Sequence, residues 1–92
     1  MIENVREFLL AMENEQGDRY DDELFHICNF ILGGEISIQD LAAAVVSFYE
    51  EGSLKRVSSK VLDIYYHLPY DISLAFADLI PEEIRQEAHF WQ

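Results

Sequence analysis

Residues 36–52 read ISIQDLAAAVVSFYEEG, and how this stretch folds decides the fold class. Ser37 precedes Asp40 by three positions. That is a capping-box-like pair, in which the hydroxyl accepts from a backbone N–H left open at a helix start, although the box prefers Glu or Gln at its second position. Ile36 and Leu41 supply the apolar staple that fixes the entry of the chain. Leu41, Ala44, Val45, Phe48 and Tyr49 then recur at helical spacing and line one face. Gly52 follows, and glycine is the usual residue just past a helix end. A helix with one apolar stripe is half of a core and needs other elements to cover it.

Working outward, Gly17 and Gly33–Gly34 divide the rest of the N-terminal half into segments of the same kind. A first helix is expected from about Ile2 to Gln16, with Ile2, Val5, Phe8, Leu9 and Met12 on one side. A second is expected from about Asp22 to Leu32, capped by Asp21 and stapled by Tyr20 and Phe25. Its Leu24, Phe25, Ile27, Cys28, Ile31 and Leu32 span a wide apolar arc, which predicts a central helix, with His26 on the opposite side. A fourth helix is expected to start near Ser58, with Val57 and Leu62 as staple. Val61, Leu62, Ile64, Tyr65 and Leu68 turn inward, Asp63 and His67 share the opposite face, and Tyr66 lies at the border. Pro69 disfavours helical geometry at Leu68 and ends this helix.

Residues 69–80 are expected to be irregular or to carry one short turn. Residues 80–91, IPEEIRQEAHFW, predict a last helix. Pro81 suits its first position, Glu82 and Glu83 complement its dipole, and Ile84, Ala88 and Trp91 form its inward stripe. No segment alternates as a strand does. The expected fold is all-α, a small antiparallel bundle of four to five short helices forming a single domain over residues 1–92.

Composition narrows the classes of function. Half of the 92 residues are hydrophobic, a folding composition, and the length fits one modest core. No apolar run approaches the roughly 20 residues of a membrane span. The N-terminal MIENVREFLL lacks the plan of a secretory signal, and the lone Cys28 offers no intrachain disulfide. A cytoplasmic location is the expectation. Eighteen acids against 6 Lys and Arg give a net charge of −12, a field that repels nucleic acid and anionic lipid and attracts basic partners. The chain is therefore expected to bind neither nucleic acid nor membrane.

Metal and catalytic motifs are not expected. His26 and Cys28 point in different directions on one helix, and ENEQGDRYDDE (13–23) lacks the order of a calcium loop. No nucleophile elbow, P-loop or H-E-x-x-H is present. The expectation is a protein without cofactor, metal or enzymatic activity, with His26, His67 and His89 at the surface.

The acids form two clusters. One is Glu13, Glu15, Asp18, Asp21, Asp22 and Glu23. The other is Asp63, Asp71, Asp78, Glu82, Glu83 and Glu87, and it includes Tyr66 and Tyr70. Tyrosine favours interfaces because a stiff ring with a polar tip gives much contact at low entropy cost. Acids interleaved with such rings can imitate the phosphates and bases of RNA toward a protein that grips RNA with cations and aromatics.

FILGGEISIQDLAAAVVSFYEEG (30–52) resembles the F-L-x-G-x-I-S-x-x-E-F-x-x-x-F-x-x-x-Y pattern of colicin D-type immunity proteins. VSSKVLDIYYHLPYD (57–71) resembles the family's next helix, and IPEEIRQEA (80–88) its closing acidic helix start. The chain departs from the pattern at Gln39–Asp40, where Glu-Glu is frequent, at Ala44 and Val45, and in the apolar ISLAFADL (72–79). The resemblance implies a small helical immunity protein, of the colicin or contact-dependent growth inhibition type. Such a protein binds a cognate basic nuclease toxin that cuts tRNA and covers its active site with acids. It implies a toxin-binding surface of Asp63, Tyr66, His67, Tyr70, Asp71 and Asp78, with Glu82 and Glu83 at the rim. Tyr65 is left out because its helical phase points inward. A monomer forming a 1:1 heterodimer is expected, since like charge opposes self-association. The rival expectation is an acidic helical adaptor for a basic protein segment.

Overall fold

The structure is a computed structural model and describes residues 2–88. Within them the chain is all-α, with six helices: α1 (Ile2–Glu13), α2 (Gly17–Leu32), α3 (Ile38–Glu50), α4 (Leu54–His67), α5 (Tyr70–Asp78) and α6 (Glu82–Ala88). The expected side chains of Ala88 and Trp91 in the last stripe, and the expected surface position of His89, lie outside the described residues.

The ends of α2 and α3 show why glycine was informative. Gly34 (φ 83°) and Gly52 (φ 77°) adopt the left-handed conformation that side-chain-bearing residues avoid. This turns the chain so that Glu35 N–H donates to the Phe30 carbonyl at 2.9 Å and Gly34 N–H to Ile31 at 3.2 Å. At α3 the same pair runs from Ser53 to Phe48 at 2.9 Å and from Gly52 to Tyr49 at 3.0 Å. Both are Schellman closures that satisfy otherwise orphaned carbonyls. At the start of α3 the Ser37 Oγ accepts from Asp40 N–H at 3.0 Å, as the sequence predicts.

Other boundaries differ from expectation. Helix α1 stops at Glu13, and α2 begins at Gly17, so Asp21 lies inside it and Gln16 holds the cap position. Helix α4 begins directly after Ser53. Ser58 is internal, and its hydroxyl donates back to the Lys55 carbonyl at 3.4 Å, a bond a serine can make within a helix. Leu54, Val57, Val61 and Ile64 then form one continuous buried stripe. Val57 is thus core and not a staple outside the helix.

The stretch after Pro69 is the largest revision. Residues 70–78 form a helix, so the described residues carry six helices where four to five were expected. Pro69 does end α4, since Leu68 is extended (φ −79°, ψ 154°). Pro69 also opens the next helix, its carbonyl accepting from Ser73 N–H at 3.0 Å. A proline at a helix start loses nothing by lacking an N–H. Pro81 acts likewise one residue before α6, accepting from Ile84 and Arg85 at 3.0 and 3.1 Å.

Helix α4 is the hub, packing against α1, α2, α3, α5 and α6, while α1 also lies along α3 and α3 meets α5. Val5, Leu9, Leu41, Val45, Phe48, Val61, Ile64 and Phe76 are all at most 1% exposed and fill the space between them. Polar ties lock the rim. Arg6 lies over the Phe48 ring at 4.2 Å, donates to Ser47 Oγ at 2.7 Å and pairs with Glu51 at 2.6 Å. Arg56 grips Glu13 through two bonds of 3.0 and 3.2 Å. Among the described residues no helix is long and apolar enough to cross a membrane.

Candidate functional site

The C-terminal end of α4 carries the acids and rings singled out in the sequence, and the fold distributes them over two sides of that helix. On the side toward α2, Tyr20 Oη donates to the Asp63 carboxylate. Burial, then the hydrogen bond to Asp63 and its charge, push the Tyr20 hydroxyl well above its ordinary value, so it stays protonated and remains a donor. Asp63 is therefore half-buried and engaged in holding α2 to α4. Its backbone carbonyl accepts from His67 Nδ1 at 2.8 Å, which fixes the protonated nitrogen of that ring.

Toward α5, Tyr65, Tyr66, Leu68, Tyr70 and Ser73 line one shallow hollow. Ser73, 3% exposed, donates through Oγ to the Tyr65 carbonyl at 2.6 Å, joining α5 to α4 where the last carbonyls of α4 lack helical partners. Tyr65 is partly buried against the core, as its phase predicts, and meets Tyr66 edge-on with ring centres 5.3 Å apart. Tyr66 and Tyr70 are 67% and 77% exposed. Asp71 and Asp78 are exposed and lie two turns apart on one outward stripe of α5 with Leu74. Glu82 and Glu83 are exposed on the first turn of α6. Glu83 belongs with Tyr49 of α3. The Tyr49 hydroxyl is raised first by the charge of Glu87, then by burial and by the charge of Glu83.

The structure thus brings Tyr66 and Tyr70 to one hollow, with the exposed Asp71 next to Tyr70 along the chain. It turns Asp63 and His67 toward α2, and it sets Glu83 where its charge acts on Tyr49 of α3.

The sequence reading missed a second surface. Leu24, Ile27, Cys28 and Ile31 are the buried stripe of α2. Phe25 and Leu32, expected to face the core, are 66% and 52% exposed. They stand on one flank of that stripe and wall a groove of about 430 Å³ floored by Leu24 and Cys28, with His67 and Asp21 at its rim. Helix α2 is consequently not central, because its apolar arc is wider than its neighbours cover. The width of the arc was the available signal.

Burial pushes the Cys28 thiol from about 9 up to about 11. Two outcomes are expected. Iodoacetamide should alkylate native Cys28 far more slowly than the unfolded chain at pH 8. A raised pKa favours the protonated fold, so stability from this group is complete below pH 9 and is lost as pH rises through about 11. Equal alkylation rates in native and urea-unfolded protein would contradict the burial.

Among the described residues no three His, Cys, Asp or Glu side chains are grouped to hold a metal ion. No protein-family model matches the chain, nor does any curated protein or solved structure.

Proposed function

We propose that the protein is an immunity protein that binds a cognate tRNA-cleaving toxin domain and blocks its basic active site. The observation that carries this reading is the exposure of Tyr66 and Tyr70. Among the described residues these are the two most exposed large apolar side chains, at 67% and 77%, and Tyr70 is followed directly by the exposed Asp71 in a chain of net charge −12. Exposed rings among carboxylates offer stacking and charge to a surface that evolved to hold RNA. The contact residues on this reading are Tyr66, Tyr70, Asp71 and Asp78, with Glu82 and Glu83 at the rim. His67 contributes from the groove side. Asp63 acts mainly by holding α2 in place, and its negative charge adds to the field.

Such a protein works by occupancy, without a chemical step. The acids accelerate encounter with a basic cleft, and the rings set how long the complex lasts. The partner is a protein, and the complex is a 1:1 heterodimer formed in the cytoplasm, where tRNA is the threatened substrate.

The test is co-expression with the C-terminal domain encoded by the adjacent larger gene, read by survival and by tRNA integrity on a denaturing gel. Survival with intact tRNA only when this chain is present is the expected result. A neighbour that is harmless alone, or that kills regardless, sinks the reading.

A further inference from the structure

We propose that the groove between α2 and the end of α4 is a second contact, which takes the apolar face of a basic amphipathic helix of the partner. The assignment rests on the reading that the partner is a basic protein, and it adds a site and a recognised shape to that reading.

Phe25 and Leu32 stand seven positions apart and on the same flank of α2. That is about two helical turns, or roughly 10 Å along the axis. An amphipathic helix presents anchors at the same interval on its own apolar face, so two such lines can lie against each other. The groove is open and walled by two side chains that are each more than half exposed. It therefore fits a row of aliphatic side chains better than it encloses a small molecule.

Charge selects the occupant. None of the groove's lining residues is Lys or Arg, and Asp21 stands at its rim. Asp22 follows on the next position of α2 and Asp18 lies one turn earlier, both exposed. Apolar side chains flanked by lysines or arginines would fill the groove and meet this acidic end. A second copy of the chain would bring another charge of −12 and another Asp21 to the same place, which opposes pairing of like faces.

The groove is tested apart from any toxin, so its failure and that of the immunity reading are distinguishable. The probe is a synthetic helical peptide with leucines on one face and lysines on the other. Its control carries the same lysines with glutamine at every leucine position. Binding is followed by amide chemical-shift changes in the full chain. The leucine peptide is expected to bind in the micromolar range with shifts centred on Phe25, Cys28, Leu32 and His67. Leu32→Lys should weaken it at least tenfold, with helical content unchanged because the side chain is more than half exposed. Phe25→Ser provides the same test should Leu32→Lys disturb the fold. Four results would each overturn the proposal. They are equal binding of the glutamine control, shifts centred on Tyr66 and Tyr70, no binding of the leucine peptide, or concentration-dependent dimerisation that Leu32→Lys abolishes. The last would make this face an interface between copies of the chain.

Discussion

Phe48→Ala is expected to lower the unfolding free energy by about 3–5 kcal/mol, whereas Phe25→Ala should change it by less than about 0.5 kcal/mol. The two side chains are chemically identical and differ only in where the fold puts them. Phe48 is 1% exposed, at the junction of α3 with the rest of the core. Its removal leaves a cavity that a small bundle can only partly collapse. It also removes the ring beneath the Arg6 guanidinium, so the Arg6 contacts to Ser47 and Glu51 lose their support. A domain of this size has about 5–10 kcal/mol in total, so the variant should sit near the edge of folding at 37 °C. Urea titrations of the two variants check this. Similar midpoints would show that α3 does not organise the core as described.

The second large effect concerns binding. On the proposed function, Tyr70→Ala is expected to weaken the complex with the toxin by at least about 2 kcal/mol, roughly thirtyfold, mainly through faster dissociation. The double reversal Asp71→Lys with Asp78→Lys should act differently. It changes the net charge from −12 to −8, because each substitution adds two units, and it places cations on the outward stripe of α5. Association should slow, and the dependence of the association rate on salt should flatten. Neither change touches the core. Tyr70, Asp71 and Asp78 are all exposed, so thermal unfolding should move by no more than a few degrees. Surface plasmon resonance at two salt concentrations separates the two signatures. If both variants bind and protect as the parent does, the contact surface lies elsewhere on the molecule, and the groove of α2 becomes the first place to look.

What could be read from the chain depended on how local the determining chemistry is. The caps at Ser37, Gly34 and Gly52 were legible because each acts on backbone groups within a few residues of itself. Ser58 and Pro69 misled because each residue supports two readings. A serine caps a helix or bonds back to a carbonyl within one, and a proline closes one helix or opens the next. The choice fell to Leu54 and Phe76, whose burial requires helix on the other side of each signal. The outward turn of Phe25 and Leu32 was least legible. Whether a flank of a wide apolar arc is covered depends on where α4 ends, a fact written some 35 residues away. Tyr66 was expected at the border of its helix and is exposed, whereas no helical phase could be read for Tyr70, which lay in a stretch expected to be irregular. The engagement of Asp63 by Tyr20 was not legible, because that bond spans 43 positions.

That span is shared. The bonds of Arg6 to Ser47 and Glu51, of Tyr20 to Asp63 and of Arg56 to Glu13 bridge 41, 45, 43 and 43 positions. Each fastens the first third of the chain to its middle or later part, and each lies at the periphery. Contacts that join distant segments through partly solvated side chains gain little until the apolar surfaces beneath them have met. They should therefore be made after the rate-limiting step of folding, which most two-state domains cross with packing only partly complete. In stopped-flow experiments Arg6→Ala and Tyr20→Phe should accelerate unfolding and leave the refolding rate nearly unchanged. Whatever each tie adds to the depth of the native basin then appears wholly as slower exit from it, lengthening the life of the folded chain where proteases cleave an opened chain faster than it recloses.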